Sequence, residues 1–212
     1  MTQTALTSTR EDAYRLLAAC YYAPTAALLE EGSCAALAEL LSEISTEASH
    51  RAAEAASVLG ETSLEPQLVE YSRLFLGPFK LVAPPYGSVW LDKQKTVMGD
   101  STAQVATFYH AQGLQLADDF LELPDHIAVE LEFLSYLAFK EREAAFSGDS
   151  ATVERLRQVQ LDFITTFLLP WLLPFTEAII EDGEAPFYQA IADCTASFVT
   201  TDVTNLQEHS RA

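Results

Sequence analysis

Apolar residues recur at helical spacing along most of this chain. Tyr14, Leu17 and Tyr21 follow a Ser8-x-x-Glu11 capping box, so a first helix is predicted to begin at Ser8. Further helices are predicted over residues 33–44, 46–59, 65–77, 101–111 and 185–199, and from Pro124 and Asp149 or Ser150 onward. The pattern predicts an all-α fold: an irregular single-domain helical bundle over residues 1–212, with residues 1–8 and 201–212 frayed.

Residues 77–100 interrupt this periodicity. The segment holds prolines and glycines that end helices, and it also carries many apolar and aromatic side chains. A loop of this composition is expected to pack on the helices and to present aromatic rings to a partner. Proline restricts the backbone, so such rings would form a partly preorganised platform.

The chain is strongly acidic. It has 212 residues, of which 49% are apolar and 20% charged, and its net charge is -19. This charge repels nucleic acid and anionic lipid and attracts basic peptides. The alternative interpretation is that the charge serves solubility alone.

The sequence predicts a cytoplasmic protein without a stable membrane insertion. Cys20, Cys34 and Cys194 are odd in number and widely spaced, which argues against a disulfide framework or a zinc knuckle. No cationic region and apolar core of a signal peptide lie at the N-terminus. The most apolar segment, residues 167–175, is short and contains Pro170 and Pro174, so it is expected not to span a bilayer.

One cluster of titratable residues invites a chemical interpretation. Glu122, Asp125, His126, Glu130 and Glu132 surround the start of the predicted Pro124 helix, and His126 and Glu130 are one helical turn apart. A metal-dependent hydrolase would need a further imidazole or thiolate at helical spacing. Solvated glutamates and a carboxylate that complements the helix dipole are the simpler explanation of the cluster, and the sequence favours them. Neither a nucleotide motif nor a nucleophile motif appears, so we predict no enzyme, no metal and no cofactor.

Five blocks of sequence resemble a known family. They begin at Tyr71, Ala83, Met98, Glu122 and Glu130, and they read YSRLFLGP, APPYGSVWLD, MGDST, ELPDH and ELEFL. In order and spacing they resemble the TorD/DmsD family of redox-enzyme maturation chaperones, which are relatives of the NarJ-type chaperones. The wording of the loop around Tyr86 is closest to the DmsD branch.

The resemblance implies a cytoplasmic, all-α chaperone. Such a protein would bind the twin-arginine signal peptide and the apo form of a molybdopterin oxidoreductase of the dimethyl sulfoxide or trimethylamine oxide reductase class. It would prevent premature export and assist cofactor insertion, as a monomer or a domain-swapped dimer. The implied peptide-binding residues are Tyr71, Leu74, Phe75, Phe79, Pro85, Tyr86, Trp90, Pro124, Asp125 and His126.

A physical mechanism accompanies this expectation. The apolar part of the signal would bury on the aromatic platform, and its arginines would pair with carboxylates. Asp125 is the first choice for that pairing, and Glu122 and Asp92 are weaker ones. For Phe75 alone, a place in the core is favoured over a place in the groove. The alternatives are a NarJ-like assembly chaperone for a client that is not exported, and the hydrolase built on His126 and Glu130.

Overall fold

Helices account for 75% of the chain in the computed structural model, which describes residues 3–77, 81–117 and 119–209. The α-helices of this part are α1 Gln3–Cys20, α2 Ala26–Glu30, α3 Ser33–Leu41, α4 Thr46–Gly60, α5 Leu64–Tyr71, α6 Gly87–Leu91, α7 Asp100–Ala111, α8 Ile127–Phe146, α9 Ser150–Phe163, α10 Leu169–Asp182 and α11 Pro186–His209. A π-helical turn, Ser72–Leu76, follows α5, and another, Ile164–Leu168, joins α9 to α10. The predicted all-α fold is confirmed: the described residues form no strand, and an isolated bridge pairs Tyr86 with His126.

The centre of the bundle is the long contact between α1 and α8. Tyr14 and Leu17 on α1 and Leu131 and Leu134 on α8 are fully buried. Burying one such leucine stabilises the folded state by roughly 1.5–3 kcal/mol before ordering costs. Around this pair, α4 packs between α3 and α11, and α10 packs against α11. The apolar residues that recur at helical spacing in the sequence therefore face the core.

The predicted helix starts at Ser33, at Thr46 and at Asp149 or Ser150 are confirmed, and the start at Ser8 is wrong. α4 begins at Thr46, and Asp149 caps α9 by accepting a hydrogen bond from the backbone N–H of Thr152 at 3.0 Å. The Ser8 capping box does not form, because α1 already begins at Gln3 and Ser8 lies inside it. Residues 1 and 2 lie outside the described part of the chain.

The C-terminal helix is longer than predicted. Fraying was expected from Thr200, but α11 continues to His209. The reason is Asp202, which is fully buried and accepts hydrogen bonds from Arg10 and from the hydroxyl of Tyr14. A polar residue in a polar tail thus anchors the end of the chain to α1.

Arg10 is the hub of a buried polar network. Its guanidinium, 3% exposed, donates to Asp202, to Glu141 at 2.9 Å and to Gln160 at 2.7 Å. Burial alone would lower the pKa of Arg10, but the two carboxylates overcome this effect and raise the pKa above its ordinary value. One charged residue thereby ties α1 to α8, α9 and α11.

The prolines in the apolar segment do not break its helix. Pro170 lies in the first turn of α10, directly after the π-helical turn, and Pro174 lies inside α10. The continuous run Ser150–Asp182 has the length and apolar composition to cross a membrane, which the short segment of residues 167–175 did not suggest. Core helices of soluble proteins meet the same criterion. Trp171 and Phe175 are fully buried, which favours a core helix here.

We expect Asp202→Ala to lower the free energy of unfolding by about 3 kcal/mol, because Arg10 keeps its buried charge and loses a partner. Asp12→Ala is the matched control: it removes an exposed ion pair with Arg15 and should change stability little. Urea unfolding followed by circular dichroism measures both variants. Equal midpoints for the two variants would contradict the structural role of Asp202.

Candidate functional site

Two of the sequence blocks are joined by backbone hydrogen bonds. The N–H of Gly87 donates to the carbonyl of Asp125 at 2.8 Å, and the N–H of Ile127 donates to the carbonyl of Pro85 at 2.9 Å. These bonds flank the antiparallel bridge between Tyr86 and His126. We call this pairing of residues 85–88 with residues 125–127 the junction. It fixes the proline-rich segment against the start of α8.

Asp125 is a structural part of the junction. It is 1% exposed, and its Oδ2 accepts a hydrogen bond from the backbone N–H of Ser88 at 2.8 Å. Ser88 belongs to the first turn of α6, so the carboxylate satisfies a donor that this helix cannot use internally. The choice of Asp125 as first partner for a peptide arginine does not fit this burial. The carboxylate instead holds α6 in place.

His126 caps α8, which begins at Ile127 rather than at the predicted Pro124. Its Nδ1 accepts a hydrogen bond from the N–H of Ala128 at 3.1 Å. Burial lowers the pKa of His126 to about 4, against the opposing effects of Glu122 and Asp125. The imidazole is therefore neutral at pH 7, and its acceptor at Nδ1 leaves the proton on Nε2.

Aromatic rings and a carboxylate surround this imidazole. Tyr22 stacks on it with ring centroids 5.9 Å apart, and Tyr86 meets it edge-on at 5.1 Å. The hydroxyl of Tyr86 donates to Glu122 Oε2 at 2.9 Å, and His126 Nε2 lies 4.0 Å from the same oxygen. The side chain of Glu122 is 28% exposed, and both tyrosines are half-buried. We call Tyr22, Tyr86, Glu122 and His126 the Tyr86 cluster.

The tyrosines of this region stay protonated at neutral pH. Burial, together with the hydrogen bond to Glu122, raises the pKa of Tyr86. Burial and the nearby Glu122 charge raise the pKa of Tyr71 to about 12. The cluster thus offers neutral rings, hydroxyl groups and one solvent-reaching carboxylate. Such a surface suits a cation that carries apolar flanks.

Three predicted site residues belong to the core. Tyr71, Leu74 and Phe75 are 6%, 0% and 2% exposed. Phe75 packs on Phe175 and Tyr188 at ring centroid distances of 6.1 and 5.1 Å. These side chains are part of the core, so they are not available to a peptide in this conformation. For Phe75 the core position matches the favoured interpretation of the sequence.

The remaining predicted residues lie in the junction or beside it. Pro85 is buried in the junction, and half-buried Trp90 donates from Nε1 to the carbonyl of Pro84 at 2.9 Å. The carbonyl of half-buried Pro124 accepts from the hydroxyl of Tyr109 at 2.9 Å. Phe79 lies outside the described residues.

Two glycines in these blocks are closely approached by other side chains. A Cβ on Gly87 would lie 3.0 Å from Trp171 Nε1, so this backbone packs directly on the indole ring. A Cβ on Gly99 would lie 1.8 Å from Asp92 Oδ2. That oxygen accepts from both the N–H and the hydroxyl of Ser101, at 3.3 and 3.1 Å. Asp92 therefore holds the first turn of α7, which begins at Asp100, one residue before the predicted start.

Glu130 does not pair with His126. It is fully buried, and its Oε2 accepts from Trp171 Nε1 at 3.3 Å. Burial and the charge of Asp125 raise the pKa of Glu130 well above its ordinary value, which favours the neutral carboxyl group. In the part of the chain that the structure describes, no three His, Cys, Asp or Glu side chains form a group that could hold a metal ion. The pairing of His126 with Glu130, on which the hydrolase interpretation rests, is therefore not formed.

Sequence reasoning missed Tyr22. It lies near the end of α1, about a hundred residues before His126, and none of the five blocks includes it. Helical spacing alone would have assigned it to the core together with Tyr21. Only the packing of α1 along α8 brings its ring onto the imidazole.

Comparison with known proteins identifies relatives. A family model described as nitrate reductase delta subunit matches residues 27–177. The Tat proofreading chaperone DmsD of Salmonella paratyphi A is 32% identical over 136 residues, which are 64% of this chain and 60% of that protein. The chaperone protein TorD of Shewanella sp. (strain MR-4) is 31% identical over 160 residues, which are 71% of this chain and 70% of that protein. The chain thus spans less than two thirds of the DmsD relative.

A solved structure shares the fold. A crystal structure from Archaeoglobus fulgidus, described as a candidate redox enzyme maturation protein, superposes with a TM-score of 0.54 at 24% identity over 93% of both chains. At this identity the likeness concerns the fold. The sequence relatives above carry the names of chaperones, in agreement with the prediction of a protein that is not an enzyme.

We expect Gly87→Ala to lower the free energy of unfolding by about 1–3 kcal/mol, because the new methyl group would press on Trp171. Gly60→Ala is the matched control: its Cβ would meet nothing within 4 Å, and in a helix the change should stabilise by about 0.5–1 kcal/mol. Thermal unfolding of both variants measures the difference. A neutral Gly87→Ala would contradict the close packing of the junction.

We expect the free energy of unfolding of His126→Asn to fall less than that of the wild type as the pH is lowered. Below about pH 6.5 an unfolded histidine binds a proton, while folded His126 stays neutral to about pH 4, so stability falls as pH falls through this window. Asparagine keeps an acceptor for the N–H of Ala128 and does not titrate.

Urea unfolding at pH 6.5 and pH 4.5 measures this effect. Other titrating groups are common to wild type and variant, so the difference between the two slopes isolates His126. The same substitution at exposed His50 controls for the loss of one imidazole. An identical pH dependence in wild type and His126→Asn would show that burial of the imidazole does not affect its protonation.

Proposed function

The chain belongs to the nitrate reductase delta subunit family, and from this premise we propose that it is a maturation chaperone for a redox enzyme, which binds the twin-arginine signal peptide of that client. The client would be a molybdopterin oxidoreductase of the dimethyl sulfoxide or trimethylamine oxide reductase class. By covering the signal in the cytoplasm, the chaperone would delay export until the cofactor is inserted. The observation that carries the proposal is the Tyr86 cluster, in which a solvent-reaching carboxylate stands beside aromatic rings.

Glu122 is the carboxylate best suited to an arginine. Its side chain is 28% exposed, whereas that of Asp125 is enclosed by the junction. Tyr86 orients Glu122 through a hydrogen bond to one oxygen, Oε2. A guanidinium can bond a carboxylate with two parallel N–H groups, which an ammonium cannot reproduce. Glu122 therefore favours arginine over lysine.

Aromatic rings complete the recognition of a cation. Tyr22 and Tyr86 flank the neutral imidazole of His126, which presents no positive charge to repel a guanidinium. Planar guanidinium groups stack on such rings. The junction holds two of these three rings in place before the peptide arrives, so little side-chain entropy remains to be lost on binding.

The charge of the whole chain supports the same ligand. With a net charge of -19, the protein attracts a cationic leader over a range set by the ionic strength. The apolar stretch that follows the arginine pair would gain about 25 cal/mol per Å² of surface removed from water, before ordering costs. Charge brings the peptide to the surface, and apolar burial retains it.

A second candidate rests on the family model itself. A NarJ-like chaperone would bind the apo form of a client that is not exported, and its site would accept a leader without an arginine pair. A peptide in which both arginines are replaced by lysine separates the two candidates. The twin-arginine proposal requires this peptide to bind more weakly, whereas the alternative requires equal binding.

We expect Glu122→Gln to weaken binding of a twin-arginine signal peptide about tenfold, a loss of about 1.4 kcal/mol, and to affect the twin-lysine peptide less. Glutamine keeps an acceptor for Tyr86 and removes the charge. Glu154→Gln, at an exposed position on α9, is the control for the change in net charge. Isothermal titration calorimetry measures the affinity of the wild type and of both variants for each peptide. If Glu122→Gln weakened binding of the two peptides equally, the role of Glu122 would be contradicted.

A further inference from the structure

An apolar groove lies beside the Tyr86 cluster. Half-buried Leu114 and Leu116, which follow α7, face Val129, Phe133 and half-buried Tyr136 on α8 across a cleft of about 170 Å³. Exposed Glu132 stands in its wall. We call this cleft the Leu116 groove. None of the five sequence blocks predicted it, because Leu114 and Leu116 lie in a segment between two of them.

Two contacts place the groove next to the Tyr86 cluster. Tyr109 lines the groove, and its hydroxyl is bonded to the carbonyl of Pro124, two residues before His126. Glu132 also lines the groove, and its carboxylate interacts with the phenol of Tyr22, which stacks on His126. The groove and the cluster are therefore neighbours along the first turns of α8.

Two exposed apolar side chains lie between the two places. Phe120 and Leu121, directly before Glu122, are 38% and 94% exposed. An exposed apolar rim next to a cleft is a feature expected of a ligand-binding surface.

The dimensions fit an extended peptide. His126 and Tyr136 are ten residues apart along α8, so the cluster and the far end of the groove are separated by about 15 Å. An extended chain advances about 3.3–3.6 Å per residue, so four or five residues cover this distance. An arginine on Glu122 would therefore place the fourth or fifth residue after it over the groove.

Charge selects the occupant. Glu122 in the cluster and Glu132 in the wall of the groove present two carboxylates, which favours a segment that carries cations beside its apolar residues. On the premise of the proposed function, we infer that the apolar segment that follows the arginine pair of the signal peptide binds in the Leu116 groove. The site therefore has two parts: an arginine subsite at the Tyr86 cluster and an apolar subsite between α7 and α8.

The first experiment removes one side of the groove. Leu116→Ser should weaken the wild-type signal peptide about tenfold and should leave unchanged the affinity for a peptide whose apolar residues are replaced by serine. Ile180→Ser is the matched control, since Ile180 is 39% exposed and lines a different cavity with Arg51. Calorimetry measures the affinities, and circular dichroism verifies the fold of each variant.

A second experiment leaves the protein unchanged. A photoreactive residue placed five positions after the second arginine should cross-link to residues 114–116 or 129–136 of the wild-type chain. Mass spectrometry locates the cross-link. Reaction elsewhere, for example at the cavity lined by Arg51, would overturn the assignment even if Leu116→Ser failed to fold.

The outcomes separate this inference from the function on which it rests. If wild-type protein binds no twin-arginine peptide, both are overturned. Suppose that the wild-type protein binds the peptide and that Glu122→Gln weakens this binding. If Leu116→Ser then binds the full peptide as tightly as wild type, only the groove assignment is overturned. A change in the sedimentation of the free Leu116→Ser protein with unchanged peptide affinity would assign the groove to a second copy of this chain and overturn the inference likewise.

Discussion

The backbone pairing between residues 85–88 and 125–127 is the constraint on which the site depends. Two segments that are about forty residues apart meet there, and each supplies one hydrogen bond to the other. The Asp125 carboxylate adds a third bond, to the first turn of α6. A buried carboxylate with a backbone donor cannot shift without leaving a polar group unsatisfied. Tyr86 and His126 therefore stand side by side before any ligand arrives.

Several residues of the five blocks have structural roles. Gly87 lets the chain approach Trp171, Gly99 makes room for the carboxylate of Asp92, and Asp125 secures α6. In the region of the blocks, the residues that reach solvent and suit recognition are fewer. Glu122 and Tyr86 are the clearest of them.

Charge is used in opposite ways in two parts of the molecule. Arg10 is enclosed by carboxylates in the bundle, where its charge is compensated and holds the helices together. Around the Tyr86 cluster, the carboxylate of Glu122 is left at the surface, where a positive ligand can neutralise it. For the buried Glu130, burial raises the pKa well above its ordinary value and so favours the neutral form, which costs less to bury. Burial thus separates the carboxylates that build the fold from one that is suited to a partner.

The sequence by itself determined the helical class, most helix positions and the family, because apolar periodicity and short blocks are local properties of the chain. Only the tertiary structure decided which of these residues are exposed. It buried Leu74 and Asp125, which the blocks had suggested for the site, and it brought Tyr22, two residues after α1, onto His126. It also extended α11 through the buried Asp202. Exposure and pairing arise from contacts between distant segments, and no local pattern encodes which side of a helix the rest of the chain will cover.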